Sequence, residues 1–125
     1  MAFYHRQLTC LGRMAVFYLP ATKLAEHPEF AKKFDAFLLR EYQGLTKITQ
    51  NIEGYYQQTE TVVVKDDHVR YEVSFPGKRR SHKLINMLAD VCDVLDEDSL
   101  YLTMGQHSYL VKRKNHNDSN RNISS

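Results

Sequence analysis

Between residues 69 and 75 the side chains alternate without a break: Val69, Tyr71, Val73 and Phe75 are apolar, and Arg70, Glu72 and Ser74 are polar. A period of two sends every second side chain the same way, so the segment reads as a strand with one face in a core. Any fold that contains it must set an apolar layer against one side of a sheet. Pro76-Gly77 closes the strand.

Two stretches with helical spacing supply that layer. Phe30, Phe34, Phe37, Leu38 and Tyr42 recur at steps of three and four, which predicts a helix with an aromatic inner stripe. Pro28 suits its first turn, and Gly44 is placed to end it in a left-handed conformation. Leu84, Ile85, Leu88, Val91, Cys92 and Leu95 form the apolar face of a second helix, with Ser81 as its cap. Asp96-Glu97-Asp98 marks its end, because acids are unfavourable at a helix C-terminus.

The remaining segments read as strands and turns. Met14–Leu19 is a short strand closed by Pro20, and 45–57 is extended. Val62-Val63-Val64 continues the β signal, and Lys65-Asp66-Asp67 carries turn chemistry. Leu100, Leu102 and Met104 alternate, and Gly105-Gln106-His107 turns the chain into a last short strand at 109–111. The order is β-α-β-β-α-β with a C-terminal hairpin. This predicts an α+β, ferredoxin-like sandwich: an antiparallel sheet with two helices on one face. A chain of 125 residues suits one domain. Residues 1–13 read as a flexible lead or edge strand, 14–111 as the domain, and 112–125 as a disordered polar tail.

Charge and composition exclude several functions. The net charge is only +2, and the basic clusters Lys78-Arg79-Arg80 and Lys112-Arg113-Lys114 are balanced by acids elsewhere. No nucleic-acid partner is expected. No apolar run approaches the roughly 20 residues that span a bilayer, so no membrane partner is expected. The two cysteines, Cys10 and Cys92, are too few for a disulfide scaffold, and free thiols suit a reducing, cytoplasmic compartment. The six histidines have no ligand spacing, and no phosphate loop or nucleophile elbow is present. The expectation is a protein without metal or cofactor.

The chemically suggestive segment is the hairpin from Gly54 to Phe75. Glu53-Gly54-Tyr55-Tyr56 sets a flexible glycine beside two phenols, Glu60 follows, and Glu72 lies on the return strand. A carboxylate and a phenol converging there can hold an ammonium group by charge-assisted hydrogen bonds. On residue types alone the plainer account prevails, since Tyr is common in strands and a strand Glu usually faces solvent. The sheet face without helices needs a partner, and an oligomer with a cleft at its interface meets that need.

Several short pieces occur in a suggestive order: Val16-Phe17-Tyr18, Gly44-Leu45, Gly54-Tyr55-Tyr56, Ala89-Asp90-Val91-Cys92, Glu97-Asp98-Ser99-Leu100-Tyr101-Leu102 and Leu110-Val111. In that order and spacing, from about Val16 to Val111, the chain resembles the phage-encoded S-adenosylmethionine lyases, which serve as anti-restriction proteins. The resemblance implies a homotrimer with its site between subunits, acting on S-adenosylmethionine in the host cytoplasm. It implies that Tyr56 is the tyrosine of a Gly-x-Tyr motif. It implies Glu72 as the site carboxylate, in a Glu-x-Ser/Thr setting, with Glu60, followed directly by Thr61, second. Tyr55 and Glu53 are the expected substrate-binding neighbours. In the implied reaction the substrate's own carboxylate attacks its γ-carbon, giving methylthioadenosine and homoserine lactone. The competing expectation is a non-catalytic ferredoxin-like module that associates through its open sheet face.

Overall fold

In a computed structural model, which describes residues 5–50 and 52–114, the chain forms six strands and three helices. In order they are β1 (Arg13–Pro20), α1 (Ala21–Ala25), α2 (Pro28–Tyr42), β2 (Thr46–Ile48), β3 (Glu53–Gln57), β4 (Val63–Phe75), α3 (Lys78–Leu95), β5 (Ser99–Met104) and β6 (His107–Lys112). The strands form one antiparallel sheet in the order β2-β4-β1-β5-β6, and β3 follows β2 along the same side of β4. β1 thus lies between β4 and β5, so the β4-α3-β5 crossover spans it. This is the split connection expected from the sequence, with one extra edge strand, β6.

The alternation in β4 places Val69, Tyr71, Val73 and Phe75 in the core. From β1 come Ala15, Phe17 and Leu19, from β5 Leu100 and Leu102, and from β6 Val111. The helices cover this face with Phe34, Phe37, Leu38 and Tyr42 of α2 and Leu84, Leu88, Val91, Cys92 and Leu95 of α3. At the centre the Phe17 and Tyr71 rings stack at 5.3 Å, and Phe34 meets both edge-on at 6.0 and 5.4 Å. The fully buried Tyr71 donates its hydroxyl proton to Asp35, 3.0 Å away.

Four sequence readings are corrected in detail. Lys65-Asp66-Asp67 is not a turn but part of β4, paired with Tyr55, Gly54 and Glu53. The turn lies at 58–62, where the Thr59 hydroxyl oxygen accepts from the Val62 N–H, an alternative that polar side chains offer to strand pairing. The left-handed residue ending α2 is Gln43, at φ 62°, and not Gly44. α3 begins at Lys78, so Ser81 lies inside its first turns and returns its hydroxyl to the Gly77 carbonyl oxygen. The short helix α1 was not expected.

β4 is longer than its partner. Its 68–75 portion pairs with β1, whereas its 63–67 portion pairs with β3 alone. Residues 53–67 therefore project past the sheet body as a two-stranded arm. At the other end of the chain, Arg113 forms ion pairs with Asp93 and Asp96, and Lys114 pairs with Asp90. The rest of the expected polar tail, 115–125, lies outside the described residues. Among the described residues no helix is long and apolar enough to cross a membrane.

Burial raises the Tyr42 hydroxyl from 10.0 to about 12 and the Cys92 thiol from 9.0 to about 11, and it pushes Tyr71 up as well. Below about pH 8 these groups are protonated in both states and do not make stability depend on pH. Above it the unfolded chain ionises first, because its groups have the lower values. The midpoint of urea unfolding is therefore expected to fall progressively from about pH 8 to pH 12. A Tyr42→Phe variant, compared with the parent by circular dichroism, should flatten the part of that fall above pH 10. An unchanged profile would contradict the burial argument.

Candidate functional site

A cleft of about 680 Å³ lies where β1 ends, β5 begins and the arm leaves the sheet. That size suits a nucleoside-sized ligand. One wall is the arm, with Ile52, Glu53, Gly54, Tyr55, Tyr56 and Asp66. The opposite wall comes from the α3–β5 connection and the β5–β6 hairpin, with Glu97, Asp98, Ser99, Tyr101 and Leu110. Tyr18, Pro20 and His68 lie between them. Four carboxylates line the cleft, and no lysine or arginine does.

The strand register brings these residues together. Gly54 lies opposite Asp66, and Tyr56 opposite Val64. His68 follows two residues after Asp66 and presents the same side of β4. Gly54 is required there for space. A Cβ on it would sit 2.5 Å from Cε1 and 2.7 Å from Nδ1 of His68. The His68 ring stands edge-on to Tyr18 at 6.3 Å, and Tyr101 flanks Tyr18 at 6.0 Å.

The carboxylates differ in their partners. Glu53 accepts from the Tyr55 hydroxyl at 2.7 Å and pairs with Lys65 at 3.2 Å. Those two hydrogen bonds, Tyr55 first, hold its carboxyl below the usual range, and the same contact raises the Tyr55 phenol. Glu97 pairs with Lys23. Asp66 and Asp98 have no ion-pair partner among the described residues. The cleft therefore keeps net negative character, which favours a cationic ligand.

Of the residues singled out in the sequence, the structure gathers Glu53, Tyr55 and Tyr56 at the cleft. Tyr55 and Tyr56 are 62% and 51% exposed. Glu60 is in the turn at the tip of the arm, where its backbone carbonyl oxygen accepts from the Gln57 side chain at 3.1 Å. Glu72 lies on the open sheet face, outside the cleft lining, with its carboxylate held by Arg70 at 2.8 Å. Sequence reasoning missed Tyr18, Asp66, His68, Tyr101 and the site role of Glu97 and Asp98. The available signal was the aromatic residues at outward positions of strands, Tyr18 and Tyr101, where a plain solvent face would carry charge. Among the described residues no group of three or more His, Cys, Asp or Glu is placed to hold a metal ion.

Replacing Gly54 with alanine should displace the His68 ring while leaving the backbone pairing in place. The measurable outcome is a shift of the His68 imidazole resonances with little loss of thermal stability. In a His68→Ala background the Gly54→Ala substitution should have no further effect, because no ring is left to displace. Unaltered His68 signals in Gly54→Ala would refute the close approach.

No family model and no curated protein matches the sequence. Among solved structures, the fold is similar to a phage SAM lyase in complex with S-methyl-5′-thioadenosine, with a TM-score of 0.62 and 13% identity over 87% of this chain and 95% of that one. It is also similar to a phage SAM lyase in the apo state, with a TM-score of 0.55 and 11% identity over 82% and 90% of the two chains. At these identities the likeness establishes a shared fold.

Proposed function

We infer that the chain is an S-adenosylmethionine-cleaving lyase whose cleft binds the substrate at the junction of the arm and the sheet. The observation that carries this reading is the cleft: nucleoside-sized, walled by phenols, and lined by four carboxylates, of which Asp66 and Asp98 have no ion-pair partner among the described residues. S-adenosylmethionine combines a purine nucleoside with a sulfonium and an ammonium, and both cationic centres suit such walls. The likeness to lyases of known structure, one of them holding the thioether product, supports the same choice.

The chemistry asks little of the protein. A carboxylate oxygen of the substrate attacks the substrate's own γ-carbon, and the C–S bond breaks. The sulfur takes the electron pair and leaves as the neutral thioether of methylthioadenosine, while the new C–O bond closes homoserine lactone. No proton, metal or external nucleophile enters the balance. The protein's task is to fold the substrate so that oxygen and carbon meet. In this reading Asp66 holds the ammonium and Tyr56 orients the chain from the arm, with Glu53 and Tyr55 fixing the arm's inner edge. Release of positive charge in the transition state means that the acidic walls serve binding more than acceleration.

The resemblance to the lyases also suggests the biological setting: a phage protein that depletes the cofactor of restriction enzymes in the host cytoplasm. The arm exposes Val62 and Val63 at 44% and 64%, and covering them with a neighbouring copy is consistent with a homotrimer that completes the cleft between subunits.

Incubation with S-adenosylmethionine, followed by chromatography, is expected to yield methylthioadenosine and homoserine lactone. Asp66→Asn and Tyr56→Phe should each lower kcat/KM by about tenfold or more, the loss of a hydrogen bond to a charged group or to the bound chain. Intact substrate at high enzyme concentration would rule the lyase out. In solution the mass should be that of three chains, and Val63→Glu should lower it to one; a stable monomeric parent would contradict the shared cleft.

A further inference from the structure

A side-chain relay on the open sheet face stands behind the cleft and takes no part in the mechanism above. Arg70 donates from Nε to Oε2 of Glu72 at 2.8 Å, and its Nη2 forms an ion pair with the same oxygen at 2.8 Å. From Nη1 it donates to the Tyr18 phenol oxygen at 3.0 Å, with its guanidinium carbon 5.8 Å from the Tyr18 ring centre. Cross-strand register imposes this meeting, since Tyr18 lies directly opposite Arg70 and Val16 opposite Glu72. Arg70 and Glu72 are largely shielded, with side-chain exposures of 32% and 26%, so the pair is screened less than a surface ion pair.

A phenol has one proton to donate and two lone pairs to accept with. Arg70 occupies the accepting side of Tyr18. The Tyr18 proton must therefore go to another acceptor, and among the described residues no protein group receives it. Tyr18 lines the cleft, between His68 and Tyr101. A donor with a fixed oxygen and an unassigned proton is thus presented to whatever fills the cleft. Glu72, by contrast, spends its charge on the guanidinium and lies outside the lining.

We propose that Tyr18 donates its phenolic proton to an acceptor atom of the nucleoside part of the ligand, and that Glu72 acts only through Arg70, as a positioning residue that touches no substrate. This rests on the reading of the cleft as a nucleoside site. Without Glu72 the long Arg70 side chain is no longer tethered, and the Tyr18 hydroxyl loses its fixed direction. A glutamine at position 72 still offers Arg70 an acceptor oxygen, so the relay needs the geometry more than the charge.

The test is a double-mutant cycle read by calorimetric binding of methylthioadenosine and by kcat and KM for S-adenosylmethionine. Tyr18→Phe should weaken methylthioadenosine binding and raise KM by roughly five- to tenfold, the scale of one hydrogen bond, with kcat changed less than about twofold. Glu72→Ala should produce a similar loss alone and none in the Tyr18→Phe background. Glu72→Gln should restore most of the affinity. Additive losses, or a Glu72→Gln variant with no turnover, would overturn the relay and make Glu72 a group that contacts substrate. Absence of methylthioadenosine binding to the parent would also overturn it. Binding with the predicted pattern but without cleavage would sustain the relay and remove only the lyase assignment.

Discussion

Phe17 lies flat against Tyr71 across the β1–β4 pair, and both the core and the site depend on that register. With these two rings opposed, Ala15, Leu19, Val69 and Val73 share their side of the sheet, and α2 can set Phe34 against both rings. The same register turns Tyr18, His68, Arg70 and Glu72 to the other side. A slip by one residue would exchange the two sets, burying Arg70 and Glu72 and exposing Tyr71. The Tyr71 hydroxyl adds a polar check. It reaches Asp35, and Lys47 pairs with Asp35 at 2.9 Å while standing 5.3 Å from the Tyr71 ring centre. The buried phenol is satisfied only where β2 and α2 both sit correctly, which ties those elements to the central pair.

The architecture was legible in the sequence because it rests on periodicity. Val69 to Phe75 alternates, and the stripes from Phe30 to Tyr42 and from Leu84 to Leu95 repeat at helical spacing. The errors fall where periodicity has no core to answer to. Lys65-Asp66-Asp67 sits in the projecting part of β4, where none of the three residues belongs to the buried core, so polar residues are tolerated on a strand. Their composition is that of a turn, and their pairing with β3 overrides it. Gln43 adopts the left-handed conformation although Gly44 follows it. Its N–H reaches the Leu39 carbonyl oxygen, the local bond that closes the helix.

The site was half legible for a related reason. Glu53, Tyr55 and Tyr56 are neighbours in sequence, so a pattern search can find them. Tyr18, Asp66, His68 and Tyr101 come from three strands and meet only because β1 pairs with both β4 and β5. Glu97 and Asp98 first appear as the stop signal of α3, and only the short link into β5 brings them to the cleft wall. Single-sequence reading weighs local features, and this cavity is made of distant ones.

The arm remains the most conditional part of the fold. A two-stranded ribbon alone in water is marginal at best, and its visible reinforcement is slight. The Glu53–Lys65 pair is about half exposed on each side, a setting in which solvent screening leaves an ion pair little to contribute. The Tyr55 hydroxyl bond to Glu53 lies on the same exposed surface. Val62 and Val63 gain nothing from the chain's own core. An arm held this loosely would place Tyr56 and Asp66 over a range of positions, which is poor preorganisation for any ligand that the cleft takes. Burying the two valines, whether against another copy or by closure around ligand, would stabilise the ribbon and fix the cleft wall together. Ordering of the arm and completion of the cleft wall are then one event, driven by apolar surface that lies outside the cleft itself.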